Sequence, residues 1–177
     1  MKQLFLLFLF VLSACKEAPK DAPLSENTST KLEQNDDIGL EIYDYDGLKP
    51  LINVDDNTIH VVNFWATWCA PCIKELPYFE KLNADYKEKN VEVLLVSLDF
   101  PRKYETHLIP FLKKNSIQSK VVCLDDVDQN RWVPAINETW SGALPATIIY
   151  KGDKRKFFEK SFTYEELQNE VQQFLNP

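Results

Sequence analysis

Between residues 58 and 66 the chain reads TIHVVNFWA, a nearly unbroken apolar run rich in β-branched residues. Such a run suits a strand buried on both faces of a sheet. From Ala70 to Lys89 the apolar spacing changes: Cys72, Leu76, Phe79, Leu82 and Tyr86 recur three or four apart and fall on one face of a helix. VEVLLVSLD (91–99) is a second buried strand. Strand, helix, strand in this order predicts a parallel pair joined by a right-handed crossover. Upstream, LEIYDY (40–45) reads as a short strand and DGLKPLINV (46–54) as a short helix around Pro50. Downstream, residues 101–116 read as a helix that begins near Pro101. SKVVCLDD (119–126) is a third apolar strand, and VDQNRWVPAINETW (127–140) a helix interrupted at Pro134. PATIIY (145–150) is a strand, KGDK a turn, and RKFFEK (155–160) its hairpin partner. TYEELQNEVQQFL (163–175) closes the chain as a helix opened by a capping box of Thr163 and Glu166. Parallel strands come first and an antiparallel hairpin last. The fold class is therefore α/β, a central mixed sheet flanked by helices with one further helix after the βαβ unit.

The first residues, MKQLFLLFLFVLSAC, place one lysine ahead of an apolar run from Leu4 to Leu12. The run falls short of the roughly 20 apolar residues that span a bilayer. It fits a secretory signal peptide, with an uncleaved anchor as the alternative. LSAC (12–15) resembles the bacterial lipobox, which implies that Cys15 receives lipid and becomes the new N-terminus after removal of residues 1–14. That cleavage takes the net charge from -7 to -8. Residues 16–37 are polar, lack aromatics and show no apolar period, so they predict an unstructured tether with a reach of roughly 25 Å. The expected division is a signal peptide over 1–14, lipidated Cys15 and tether over 15–38, and one folded domain over 39–177.

At 177 residues, 45% hydrophobic and 12% aromatic, the chain suffices for one packed domain. A net charge of -7 argues against a nucleic-acid surface, which is basic.

The chemistry concentrates in VNFWATWCAPCIKELP (62–77), with two cysteines in four positions at the junction of strand and helix. Three readings apply: a working redox pair, half of a metal site, or two inert buried thiols. A helix N-terminus carries unpaired N–H groups and the positive end of the dipole, and both favour a thiolate. Pro71 suits the first helical turn. Cys69 is thus expected to be the more acidic sulfur and the attacking one. Cys72, one turn in on the apolar face, is the more buried, resolving sulfur. A metal site needs about four ligands, and beyond the pair only Cys123, His60 and His107 are available, scattered singly. Cys123 reads as a small buried strand residue, His60 as structural, His107 as solvated, and Trp132 and Trp140 as packing.

FWATWCAPC followed by Pro77 resembles the thioredoxin superfamily, with Trp68 before the first cysteine and a helix proline eight positions after it. CAPCIKELP behind a signal or lipid segment is similar to the TlpA/ResA-like membrane-tethered thiol–disulfide oxidoreductases. The resemblance covers roughly residues 40–177. It implies a thioredoxin-like fold in which the helix over 101–116 is inserted after the βαβ unit, and a redox-active Cys69–Cys72 disulfide, with no other cofactor and no metal. It implies a cis-proline at Pro145 in ALPATIIY; by itself that proline would read as a trans residue starting a strand. Trp68, Ala70, Pro71 and Leu144 would then contact substrate, with Leu144 standing where many relatives carry Thr. Asn63 occupies the place of thioredoxin's buried acid and reads as a hydrogen-bonded amide. Glu75 has two readings: a carboxylate under the pair that tunes the thiols and relays a proton, or a solvated first-turn acid.

As partners the resemblance implies envelope proteins with disulfides, apocytochrome c among them, and a membrane dithiol electron donor. It implies a monomer facing the periplasm from a lipid anchor, working as a reductase. The alternative on the same fold is a copper-chaperone-like or non-catalytic binding lipoprotein, which the C-x-x-C spacing disfavours. A peroxiredoxin is weaker, since its family carries Thr where Ala66 stands.

Overall fold

A computed structural model describes residues 31–35 and 39–175. The sheet grows outward from β3 (Ile59–Trp65), in which every residue is buried. β3 pairs in parallel with β4 (Val91–Ser97), from Ile59 opposite Val91 to Trp65 opposite Ser97. On its other side it pairs antiparallel with β6 (Ala146–Lys151), Phe64 opposite Ala146. β5 (Lys120–Leu124) extends the parallel part beyond β4, and β2 (Leu40–Tyr43) extends it beyond β5. β7 (Lys154–Phe158) closes one edge as the hairpin partner of β6, with Gly152 at φ +52° in the turn. β1 (Lys31–Asn35) closes the other edge antiparallel to β2, giving the order β1-β2-β5-β4-β3-β6-β7.

Alternation along β3 divides the core between two faces. Ile59, Val61 and Trp65 join α2 (Ala70–Tyr86), α3 (Ile109–Lys114) and α5 (Tyr164–Leu175). Val62 and Phe64 join α1 (Tyr45–Leu48) and α4 (Gln129–Ile136) on the opposite side. The result is a mixed sheet between two helical layers, with α2 leaving directly from the end of the central strand. α5 starts with reciprocal bonds: Thr163 N–H donates to Glu166 (2.8 Å) and Glu166 N–H to Thr163 Oγ1 (3.3 Å). Trp132 and Trp140 pack in the α4-side core, their indole N–H groups on the carbonyls of Asp126 and Ala143. His60 stacks on Tyr150 at the far end of β3, and His107 is exposed.

Four expectations change. The tether predicted to run to residue 38 is interrupted by β1, because an open sheet edge pairs with any backbone and needs no apolar pattern. The segment 101–116 is a 3₁₀ turn (Pro101–Lys103), a wide turn (Tyr104–Leu108) and then α3, not one helix. Pro110 has no N–H to give, so the ladder breaks and restarts there. Pro134 lies inside α4 without interrupting it, since the bond it omits would fall on Asn130, which is exposed to water. The helix after Cys69 ends at Tyr86, with Lys87–Lys89 in a 3₁₀ turn. The signal-peptide and Cys15 assignments lie outside the described residues. Among the described residues no helix is long and apolar enough to cross a membrane.

Candidate active site

β3 ends at Trp65, and the chain turns through Ala66–Cys69, Cys69 N–H donating to the Ala66 carbonyl at 3.1 Å. Cys69 is the N-cap of α2. Its backbone is extended (φ -90°, ψ 97°), its carbonyl accepts from Ile73 N–H, and its Sγ accepts from Cys72 N–H at 3.3 Å. Pro71, in the first turn, removes an N–H that would have had no partner there. The sulfur of Cys69 thus takes the capping position, where a side-chain acceptor meets the unpaired donors of a helix start.

Cys69 and Cys72 form a disulfide with Cα atoms 5.3 Å apart. Cys72 is wholly buried on the α2 face shared with Leu76 and Phe79, and Cys69 is 6% exposed. Around them Trp68 stands 57% exposed, with Ala70 and Pro71 also exposed. Trp68 stacks on Phe100, ring centres 6.4 Å apart, and Arg102 lies over Phe100. The Leu144–Pro145 bond is cis. Phe64 is opposite Ala146, so one further step in register sets Pro145 across from Trp65, at the end of β3 that leads to Cys69. Leu144 is half-buried and packs against both cores.

Glu75 is 1% exposed, one turn after Cys72, which answers the choice between buried and solvated acid. One oxygen accepts from Phe162 N–H at 2.7 Å and the other from the Asn63 amide at 3.2 Å; Asn63 also donates to Thr147 Oγ1. Burial pushes the Glu75 carboxyl up to about 7, against the opposing pull of the Phe162 N–H and the Asn63 amide. Glu75 borders a cleft of about 320 Å³ together with Pro71, Lys74, Tyr78 and Phe162. At neutral pH it is therefore a carboxyl able both to take and to give a proton.

Cys123 is free and wholly buried in β5, across from Ser97. Burial pushes its thiol up to about 12, although the hydroxyls of Tyr104 and Ser97 partly offset this.

One buried acid escaped the sequence reading. Asp99, 2% exposed, accepts from Thr67 N–H (3.0 Å), Thr67 Oγ1 (2.5 Å) and Ser97 Oγ (2.9 Å). Its partner in the active-site turn is 32 residues away, so no local spacing announces it; in sequence it is only the polar end of an apolar strand.

Comparison with known proteins agrees with this geometry. The profile of the AhpC/TSA family matches residues 46–155, more than half of the chain. The thiol-disulfide oxidoreductase ResA of Geobacillus thermodenitrificans is 28% identical over 113 residues, 63% of this chain and 60% of that protein. ResA of Oceanobacillus iheyensis is 62% identical over 39 residues, 22% of this chain and 20% of that protein. The chain thus spans less than two thirds of the length of these relatives. Among solved structures, a thioredoxin-related protein of Neisseria meningitidis serogroup B superposes with a TM-score of 0.59 at 23% identity, over 70% of this chain and 90% of that one. StoA of Bacillus subtilis does so with 0.53 at 20% identity, over 67% and 85%. These two show a shared thioredoxin-like fold.

Proposed function

The chain belongs to the AhpC/TSA family, and on that premise we propose that it is a thiol–disulfide oxidoreductase that reduces protein disulfides through Cys69 and Cys72. The observation that carries the reading is the disulfide at the start of α2, one sulfur capping the helix and the other buried behind it. In the reduced protein the Cys69 thiolate attacks one sulfur of a partner's disulfide, and the partner's other sulfur leaves and takes a proton. Cys72 then attacks Cys69 in the mixed disulfide, expelling the partner's second sulfur as a thiol once protonated. Two electrons pass to the partner, and the pair is left oxidised. Glu75, a turn from Cys72 and with its carboxyl near 7, receives the proton Cys72 gives up. Exposed Trp68, Ala70 and Pro71, with Leu144 and cis-Pro145, form the surface on which the partner chain lies.

The reading extends to the cell envelope. The LSAC site supports a lipid on Cys15, and the thiol-disulfide oxidoreductase relatives support disulfide-bearing proteins as substrates. In this reading those substrates are envelope proteins, apocytochrome c among them, and a membrane dithiol is the electron donor. The domain acts as a monomer in this reading and needs no cofactor besides its own disulfide.

Insulin-disulfide reduction, driven by a small dithiol, tests the activity. Wild type turns over and Cys69→Ser does not. Cys72→Ser holds partners as mixed disulfides on Cys69. A wild type inert towards every protein disulfide offered overturns the proposal. For the anchor, Cys15→Ser releases the protein from membranes in fractionation; a variant still firmly bound refutes lipidation.

A further inference from the structure

The turn that presents Cys69 is only four residues long, and its conformation decides where the sulfur points. Its own bonds are few: Cys69 N–H to Ala66 O within the turn, and Leu98 N–H to Trp65 O just before it. What grips its middle is Asp99. This carboxylate, 2% exposed, takes both donors of Thr67, the backbone N–H and the hydroxyl. Ser97 Oγ, itself buried, donates to Asp99 and accepts from Asp99 N–H at 3.1 Å, which fixes the acid from behind. All its bonded donors are neutral, so its role is directional: two bonds to one residue, a backbone N–H and a side-chain hydroxyl, fix where that residue sits.

We propose that Asp99 is a positioning residue for the dithiol reaction, holding the Ala66–Cys69 turn through Thr67 so that Cys69 Sγ is aimed at the disulfide of a docked protein. The inference rests on the oxidoreductase reading and adds to it a residue outside the C-x-x-C motif and the cis-proline loop. The same grip joins the turn after β3 to the chain after β4, and so keeps Trp68 against Phe100 beside the cysteine. Aim matters for a large partner, whose disulfide cannot rotate to meet the sulfur. It matters little for a small reagent that approaches from any side.

The test compares Asp99→Asn, Thr67→Val and Thr67→Ser with wild type. In insulin reduction, kcat falls roughly 10- to 100-fold in Asp99→Asn and less in Thr67→Val, while KM stays within about twofold of wild type. The double variant loses less than the product of the two singles, because both cut one link. Thr67→Ser, which keeps the hydroxyl, restores turnover. Iodoacetamide labelling of reduced Cys69 stays within about twofold of wild type throughout. A labelling rate that falls in step with kcat, or a proportional rise in KM, would show general damage to the site and overturn the proposal. Hydrogen exchange gives an arm independent of enzymatic activity. In Asp99→Asn the Thr67 and Cys69 amides exchange faster while those of β6 do not; unchanged exchange at Thr67 also overturns it. Failure of the oxidoreductase reading is distinct, because it appears as an inert wild type whatever Asp99 does.

Discussion

Two buried sulfur sites sit on the same face of the same sheet and have opposite chemistry. At the end of β3, Cys69 caps a helix and bonds to Cys72. In β5, Cys123 lies mid-strand, its thiol pushed up to about 12. Burial is shared: Cys69 is 6% exposed and Cys123 wholly enclosed. What differs is the backbone. A helix start offers N–H groups with no partner of their own, and a sulfur can take one; a strand interior has spent its N–H groups on its neighbours. Cys123 is left facing hydroxyls of Tyr104 and Ser97, which offset only part of the loss of water. Burial silences a thiol unless local backbone geometry supplies donors.

The strongest way to break this contrast is to exchange which cysteine is missing. Cys69→Ser should abolish protein-disulfide turnover, whereas Cys123→Ala should retain it within about twofold. Loss of turnover on removing Cys123 would make it a third redox thiol. Next is reactivity. A thiol near 12 is ionised in roughly one part in 10⁵ at pH 7. Limiting iodoacetamide on the reduced protein should therefore label Cys69 first, Cys72 later, and Cys123 only after denaturation, as read by peptide mass spectrometry. Early labelling of Cys123 would sink the contrast.

A smaller effect belongs to Glu75. Its folded carboxyl, near 7, lies above the ordinary value of 4.5. Between those values the native state holds more protons than the unfolded one, so stability is greatest below 4.5 and declines as pH rises through 7. The decline amounts to about 3 kcal/mol. Urea unfolding of the oxidised protein at pH 4.5 and pH 8 should show it, and Glu75→Gln should flatten it. An equal slope in the variant would assign the effect elsewhere. Smallest is the packing role of Cys123: Cys123→Ala should cost about 1–2 kcal/mol with no dependence on redox state. A loss confined to the reduced protein would tie it to the active pair.

These two sites also mark what a sequence discloses. β3, α2 and the pair at their junction are written locally: a continuous apolar run, then a three-and-four spacing, with the cysteines at the change of period. The strand position of Cys123 was equally legible, because VVCL carries its own pattern. The fate of Glu75 was not, since acids near the start of a helix are common in water. Only Asn63 and Phe162, 12 and 87 residues away, distinguish this one. Asp99 was hidden for the same reason. β1 was hidden for another: its pairing is made by backbone atoms, which every residue has.

The chain contains four tryptophans, and Trp65, Trp132 and Trp140 are 0–5% exposed against 57% for Trp68. In optical terms the molecule carries one indole in water and three in the dark interior. A collisional quencher such as acrylamide therefore reaches chiefly the ring beside Cys69. The quenchable fraction of the emission becomes a gauge of that one surface: a protein partner that settles over the disulfide shields it, while the remaining signal continues to report whether the core is intact.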